Sequence, residues 1–209
     1  MAIKIPDRLF ARYYDRMAAA YDKELTPRKQ EFLADLEGVV VEIGPGTGCN
    51  LVHMPDGVEW IGIEPNEHMH PLLLEKARGL GLDVDLRLLS AGKLPLDDQS
   101  VDAVLSTLVL CSVPDTAQVL GEIHRVLKPG GCFYFWEHVI APESRRLRFL
   151  QHAITPLQRF IADGCRANRD LATDIRAAAF SSVEVEEFSA PKGVAPAWIR
   201  PHVMGKAVR

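Results

Sequence analysis

Two carboxylates and three glycines carry the strongest chemical signal in this 209-residue chain. The stretch 42–48 reads Glu-Ile-Gly-Pro-Gly-Thr-Gly, with Gly44, Gly46 and Gly48 at alternate positions. Glycines so spaced make a sharp turn in which backbone N–H groups can approach a ligand unobstructed. The spacing is G-x-G-x-G. A dinucleotide fingerprint is G-x-G-x-x-G, and its third glycine falls on Cys49 here. Glu42, two residues before the first glycine, suits a cationic ligand better than an anionic one. Glu64 stands twenty residues after Gly44, at the end of an alternating run, with Pro65 beside it. An acid there is placed to hold a ribose diol. Two hydroxyls donating to one carboxylate form charge-assisted bonds, roughly twice as strong as neutral ones.

S-adenosylmethionine meets these demands, having an α-ammonium, a sulfonium and a ribose but no phosphate. Glu42, Gly44, Gly46, Gly48, Glu64 and Pro65 are its expected contacts. Ser90, Ala91 and Gly92 follow a third strand; they can leave room for a flat adenine ring or simply make a turn. Thr107, a further expected cofactor contact, opens an apolar tip over 107–113 that includes Leu108 and Cys111. Glu137 and His138 end a fifth strand, and Asp163-Gly164-Cys165 interrupts a later helical block. His138 is the first candidate to accept a substrate proton, since an ordinary imidazole with a pKa of about 6.5 is mostly neutral at pH 7. Asp163 is the second. A plain loop hydrogen bond for His138, or orienting a histidine or capping a helix for Asp163, is the competing reading. Cys111 and Cys165 are expected to line the pocket with Leu108 and Glu137 rather than react.

The elements that must position these groups alternate in type. Residues 39–41 form a short buried strand, 58–63 a second, 84–89 a third, 101–106 a fourth and 132–136 a fifth. A short helix is expected over 49–54, its N-terminal end toward the cofactor, and others over 66–77 and 114–127. Lys128-Pro129-Gly130-Gly131 stops the last of these. At the N-terminus, residues 6–22 read as a helix with Leu9, Tyr13, Met17 and Tyr21 on one stripe. Tyr13 and Tyr21 belong to the substrate pocket if that helix is a lid; packing on the body and contact with a membrane surface are the alternatives. Thr26 and Pro27 predict the start of a separate helix running to about Leu36. A helical block over 142–179 replaces a simple crossover, and strands over 183–188 and 203–208 close the chain.

Five alternations of strand and helix imply a doubly wound α/β fold. The expected architecture is one Rossmann-like seven-stranded sheet, mostly parallel with an antiparallel last strand. Helices cover both faces, and the N-terminal helices form a cap. All 209 residues are expected in one domain: a cap over 1–37, a cofactor core over 38–140, a substrate-side insertion over 141–180 and a terminal strand pair over 181–209.

Composition narrows the partners. A net charge of −4 gives no general attraction to nucleic acid or anionic membrane. No apolar run reaches about 18 residues, and the N-terminus lacks the pattern of a secretory signal. Integral membrane association is therefore not expected, and a cytoplasmic location is. Four scattered cysteines without a C-x-x-C pair predict neither disulfides nor a zinc site. His68 and His70, two apart, point to different sides of a helix, so no metal is expected there either. The oligomeric state is open.

The motif set Glu42, Gly44, Gly46, Gly48, Glu64 and 128–131 resembles the class I S-adenosylmethionine-dependent methyltransferases. A narrower likeness lies in 107–113, 133–139, 163–165 and 201–205, which are similar to the methyltransferase-like 7 group of alkyl thiol S-methyltransferases. Members of that group carry an N-terminal hydrophobic membrane anchor; the charged N-terminus here departs from it. The resemblance implies methyl transfer to a small thiol or hydrosulfide, with S-adenosylhomocysteine as product and no metal. A thiol suits an apolar tip, because with a pKa of about 8.5 it ionises appreciably near neutrality. An O- or N-methyltransferase of another small molecule or lipid headgroup is the alternative. A nucleotide-binding oxidoreductase or a non-catalytic binding module is the reading from a different class. The Asp/Asn-Pro-Pro-Tyr/Phe signature of nucleobase and glutamine N-methyltransferases is absent after the fourth strand.

Overall fold

The protein is described by a computed structural model covering residues 7–209. The expected helix start at residue 6 lies outside the described residues. Helix α1 (Asp7–Leu33) is followed by β1 (Val39–Ile43), β2 (Glu59–Ile63), α2 (His70–Leu80), β3 (Asp85–Arg87) and β4 (Val101–Thr107). Then come α3 (Thr116–Val126), β5 (Leu127–His138), α4 (Arg145–Ile161), α5 (Leu171–Ala177), β6 (Ser182–Ser189) and β7 (Pro201–Val208). The seven strands form one sheet in the order β3-β2-β1-β4-β5-β7-β6. Strands β1 to β5 run parallel to one another, and β7 runs antiparallel between β5 and β6. The expected closing strand pair is thus present, with the last strand inside the edge.

The central strands are apolar on both faces, as a sheet covered on both sides requires. On one side Ile43, Val104, Phe133 and Phe135 pack under α3 and α5. On the other, Val40, Leu105 and Trp136 meet Tyr21, Leu25, Phe32 and Leu33 of α1. The strand order reverses between β1 and β4. Such a switch point opens a crevice at the C-terminal ends of the strands, where a ligand can enter.

Three local readings change. Helix α1 runs unbroken for 27 residues through Pro27. Thr26 does not cap a second helix; its hydroxyl donates to the Asp22 carbonyl at 2.9 Å. Burial of Tyr21, Leu25, Phe32 and Leu33 along one face outweighs the hydrogen bond that proline removes. The same face carries Ala11, so Leu9, Tyr13 and Met17 point to solvent. After the glycine turn the chain makes a single 3₁₀ turn (Leu51–His53) rather than a helix over 49–54. Helix α2 begins at His70, not Asn66, because the Asn66 side chain is engaged in the preceding turn, accepting from the His68 N–H at 3.1 Å. Gly81 ends it in the left-handed conformation (φ 70°).

Helix α4 docks by its polar face. Gln151, Thr155 and Gln158 are buried, while Phe149, Leu157, Phe160 and Ile161 lie outward. Gln151 explains the orientation: its carbonyl accepts from Ala141 N at 2.8 Å, and its amide donates to the Val139 and Trp198 carbonyls at 3.0 and 2.9 Å. Three loop backbone groups are satisfied by one side chain, which an apolar residue there could not do.

Candidate active site

Glu64 directly follows β2 and reaches back to the glycine turn. Its Oε2 accepts from Gly46 N at 2.9 Å and its Oε1 from Asn66 N at 2.8 Å. The carboxyl is almost fully buried. Burial pushes its pKa up, and the two backbone N–H groups pull the other way. Gly44, Gly46 and Gly48 all have positive φ. A side chain at Gly46 would run into the ring of Tyr14, with its Cβ 2.9 Å from Cε1. Tyr14, not Tyr13, is therefore the α1 tyrosine at the turn; Tyr13 is 61% exposed. The four-residue stripe pointed to Tyr13 because it assumed the wrong inward face.

Glu42 is as buried as its strand demands, but both its oxygens are occupied. Asn50 Nδ2 donates to one at 2.8 Å and Trp60 Nε1 to the other at 3.0 Å. Burial raises the Glu42 pKa, and these two bonds oppose the rise. Asn50 also donates to Thr107 Oγ1 at 3.0 Å and accepts from Lys29 Nζ at 2.8 Å. Lys29 in turn pairs with Asp22 at 2.7 Å, and His53 lies 2.9 Å from the same carboxylate. This buried chain joins α1 to the tips of β1 and β4. Sequence reasoning missed Lys29, Asn50 and Trp60; Asn50, the polar residue two places after the third glycine, was the available signal.

Ser90, Ala91 and Gly92 lie beyond β3, with Ala91 buried; Gln118 Nε2 fixes the turn by donating to the Gly92 carbonyl at 2.8 Å. Pro65 is exposed next to Glu64. Thr107 closes β4, and Leu108 after it has a positive φ of 59°. For a leucine that is a strained conformation. Leu108 N is held by the Trp136 carbonyl at 2.8 Å, so β5 fixes the bend.

Glu137 and His138 do not form a pair, because successive strand residues face opposite sides of the sheet. Glu137 braces the bend after β4. Its Oε1 accepts from Ser106 Oγ at 2.6 Å, Val109 N at 3.0 Å and Leu110 N at 3.1 Å. Arg169 secures the same segment from outside by donating to the Leu110 and Val113 carbonyls.

His138 instead meets the cysteines. Its Nε2 lies 3.0 Å from Cys165 Sγ, and that sulfur is 3.6 Å from Cys111 Sγ. Gln158 Nε2 donates to Cys165 at 3.2 Å. The hydrogen bond with Cys111, together with His138, holds the Cys165 thiol well below the ordinary thiol range despite burial. Cys111 moves the opposite way, because the same hydrogen bond and burial keep its proton in place. Burial alone would lower the His138 pKa, but Cys165 beside it raises it. His138 therefore does not stand alone as an isolated imidazole: its Nε2 faces the Cys165 thiol directly. Asp163, expected beside this group, is exposed in a tight turn with φ 45°, and its charge acts on Glu64.

Tyr21 lies behind this group. Trp136 Nε1 donates to its hydroxyl at 2.9 Å, and the hydroxyl is 2.9 Å from His202 Nε2. An indole N–H only donates, so the Tyr21 O–H is free to donate to the imidazole, whose other nitrogen serves the Arg200 carbonyl at 2.8 Å. The network ties α1 to β5 and β7.

The methyltransferase domain model matches residues 41–135, the segment from the glycine turn through β5. The chain is 36% identical to the rat (Rattus norvegicus) thiol S-methyltransferase TMT1B, across 92% of its own length and 82% of the relative's. The chain belongs to the family of S-adenosylmethionine-dependent methyltransferases that includes this enzyme. Human thiol S-methyltransferase TMT1A is 32% identical, over 96% of this chain and 86% of the relative. A Thermotoga maritima methyltransferase structure, described as a possible histamine N-methyltransferase, superposes with a TM-score of 0.69. That match covers 96% of this chain and 97% of the other at 23% identity, and it speaks for the fold alone. Among the described residues, no helix of this methyltransferase is long and apolar enough to cross a membrane.

The site fits the methyl donor. Glu64 offers a buried carboxylate at the C-terminal end of β2, against the glycine turn, and the next-but-one residue, Asn66, has a buried Nδ2 donor with no protein partner. An acceptor and an unsatisfied donor side by side suit a ribose and the base attached to it.

Proposed function

We propose that this methyltransferase moves a methyl group from S-adenosylmethionine to a small thiol or hydrosulfide. The observation that carries the reading is the identity of 32% and 36% to two thiol S-methyltransferases over more than nine-tenths of the chain. When bound, the donor supplies a sulfonium methyl open to in-line displacement. The protein's part is binding, orientation and removal of water from the nucleophile. Glu64 holds the ribose hydroxyls, and the turn of Gly44, Gly46 and Gly48 borders the methionine end. Tyr14 closes over the turn from α1. The buried chain from Lys29 through Asn50 to Glu42 keeps the tips of β1 and β4 in register.

The acceptor sits near the bend at Leu108 and the group formed by Cys111, His138 and Cys165. The bend holds apolar side chains there, which favours a small apolar thiol over a charged acceptor. His138 takes up the proton that the acceptor releases. The reading requires no metal for methyl transfer, so extensive treatment with EDTA leaves activity intact.

Incubation with methyl-labelled S-adenosylmethionine and a panel of thiols, hydrosulfide, phenols and amines tests the assignment. Labelled thioethers, or methanethiol from hydrosulfide, are the expected products. Methylation of phenols or amines with thiols inert would refute it.

A further inference from the structure

Cys111, His138 and Cys165 stand 27 residues apart in succession, with no metal-binding spacing in the sequence. Tertiary structure gathers them from three elements: the bend after β4, the last residue of β5 and the loop after α4. The two sulfurs and an imidazole nitrogen all lie within 4.8 Å of one another, and all three residues are buried. We propose that this group binds one soft divalent cation, Zn2+ by preference, through two sulfurs and one nitrogen, and that occupancy switches methyl transfer off.

Geometry supports the first part. A tetrahedral zinc with Zn–S bonds of about 2.3 Å and a Zn–N bond of about 2.0 Å holds its sulfurs about 3.8 Å apart and each sulfur about 3.5 Å from the nitrogen. The sulfurs of Cys111 and Cys165 are already 3.6 Å apart. His138 Nε2 is 3.0 Å from Cys165, so the ring must withdraw by about half an ångström to admit the ion. Two thiolates and one Zn2+ sum to zero charge, which removes the penalty of burying an ion in an apolar core. Thiolate and imidazole donors select zinc or cobalt over magnesium and calcium. Gln158, donating to Cys165 at 3.2 Å, supplies the outer hydrogen bond that orients a sulfur ligand. Three protein ligands leave the fourth tetrahedral position to water.

The second part rests on the proposed thiol transfer, because the ion and its fourth ligand would fill the space beside Cys111, His138 and Cys165 where the acceptor is placed. Binding displaces to solvent the protons that the two sulfurs and Nε2 hold.

Cobalt titration of the reduced, metal-stripped full chain tests binding without reference to activity. One equivalent is expected to give thiolate-to-cobalt charge-transfer bands and intense visible bands of a tetrahedral site. Cys111→Ser and Cys165→Ser should each weaken cobalt binding about tenfold or more, whereas Cys132→Ser should not, and circular dichroism verifies that each variant is folded. Absence of the bands in the wild type, or equal binding by a folded Cys111→Ser/Cys165→Ser double variant, would overturn the site. Zinc should then abolish thiol methylation, with recovery on adding chelator. Full activity in enzyme carrying one zinc would overturn the switch while leaving the site standing. If no acceptor is methylated with or without zinc, it is the transferase reading that fails.

Discussion

The Glu64 carboxylate bridges the glycine turn to Asn66 in the loop after β2, 2.9 Å from Gly46 N and 2.8 Å from Asn66 N. One side chain therefore both shapes the turn and presents a carboxylate to a ligand. Glu64→Ala should weaken S-adenosylmethionine binding by about 1.5–3 kcal/mol, the range for hydrogen bonds to a charged group. Calorimetry is the measurement, and undiminished affinity would remove Glu64 from the site.

Acidification should weaken binding earlier than an ordinary carboxylate would. Burial raises the pKa of Glu64, so it protonates at a higher pH than a solvated glutamate and then accepts fewer ribose hydrogen bonds. Affinity should hold at neutral pH and fall as pH drops through that raised pKa. In Glu64→Gln this pH dependence should be flattened. A wild-type affinity constant from pH 7 down to the ordinary glutamate pKa of about 4.3 would contradict the role.

His138→Ala should lower methyl transfer to a thiol about 10- to 100-fold at pH 7, at or below the low end for general-base catalysis. Raising the pH should restore part of the rate, because the acceptor thiol then ionises without assistance. Rates equal to wild type at every pH would make His138 purely structural.

Tyr21→Phe should destabilise the fold without removing apolar packing. It leaves the Trp136 indole N–H and His202 Nε2 without their partner, and one buried unsatisfied group costs about 1–3 kcal/mol. Urea denaturation should show a lower midpoint at unchanged slope. An unchanged midpoint would mean that water replaces the hydroxyl.

Stability should decline in mild acid on account of His202. Burial brings its pKa down to about 4 from the ordinary 6.5. Between those values the unfolded chain binds the proton and the folded chain does not, so stability falls as pH drops from 6.5 toward 4. At 1.36 kcal/mol per unit the loss is at most about 3–4 kcal/mol. Comparing denaturation of wild type and His202→Gln at pH 7 and pH 5 isolates this contribution, and equal slopes in the two would assign it elsewhere.

The sequence alone determined the sheet, the glycine turn and the acid at its far side. Those features are local: apolar runs announce buried strands, alternate glycines announce a turn, and twenty residues separate Gly44 from Glu64 because one crossover fills the gap. Local patterning also foretold the antiparallel close, since strands over 183–188 and 203–208 have no helix between them. Only the tertiary structure decided which face of α1 turns inward, placing Tyr14 rather than Tyr13 over Gly46, because that choice depends on what α1 packs against. It likewise ran the helix through Pro27, where burial of Leu25, Phe32 and Leu33 outweighed a missing hydrogen bond. Glu137 and His138 are neighbours in sequence yet serve opposite faces of β5, a consequence of pleating. Cys111 and Cys165 are 54 residues apart and meet at 3.6 Å, because two loops fold over the end of the same strand. A contact between residues so distant in sequence leaves no periodic trace; it exists only once the chain has closed on itself.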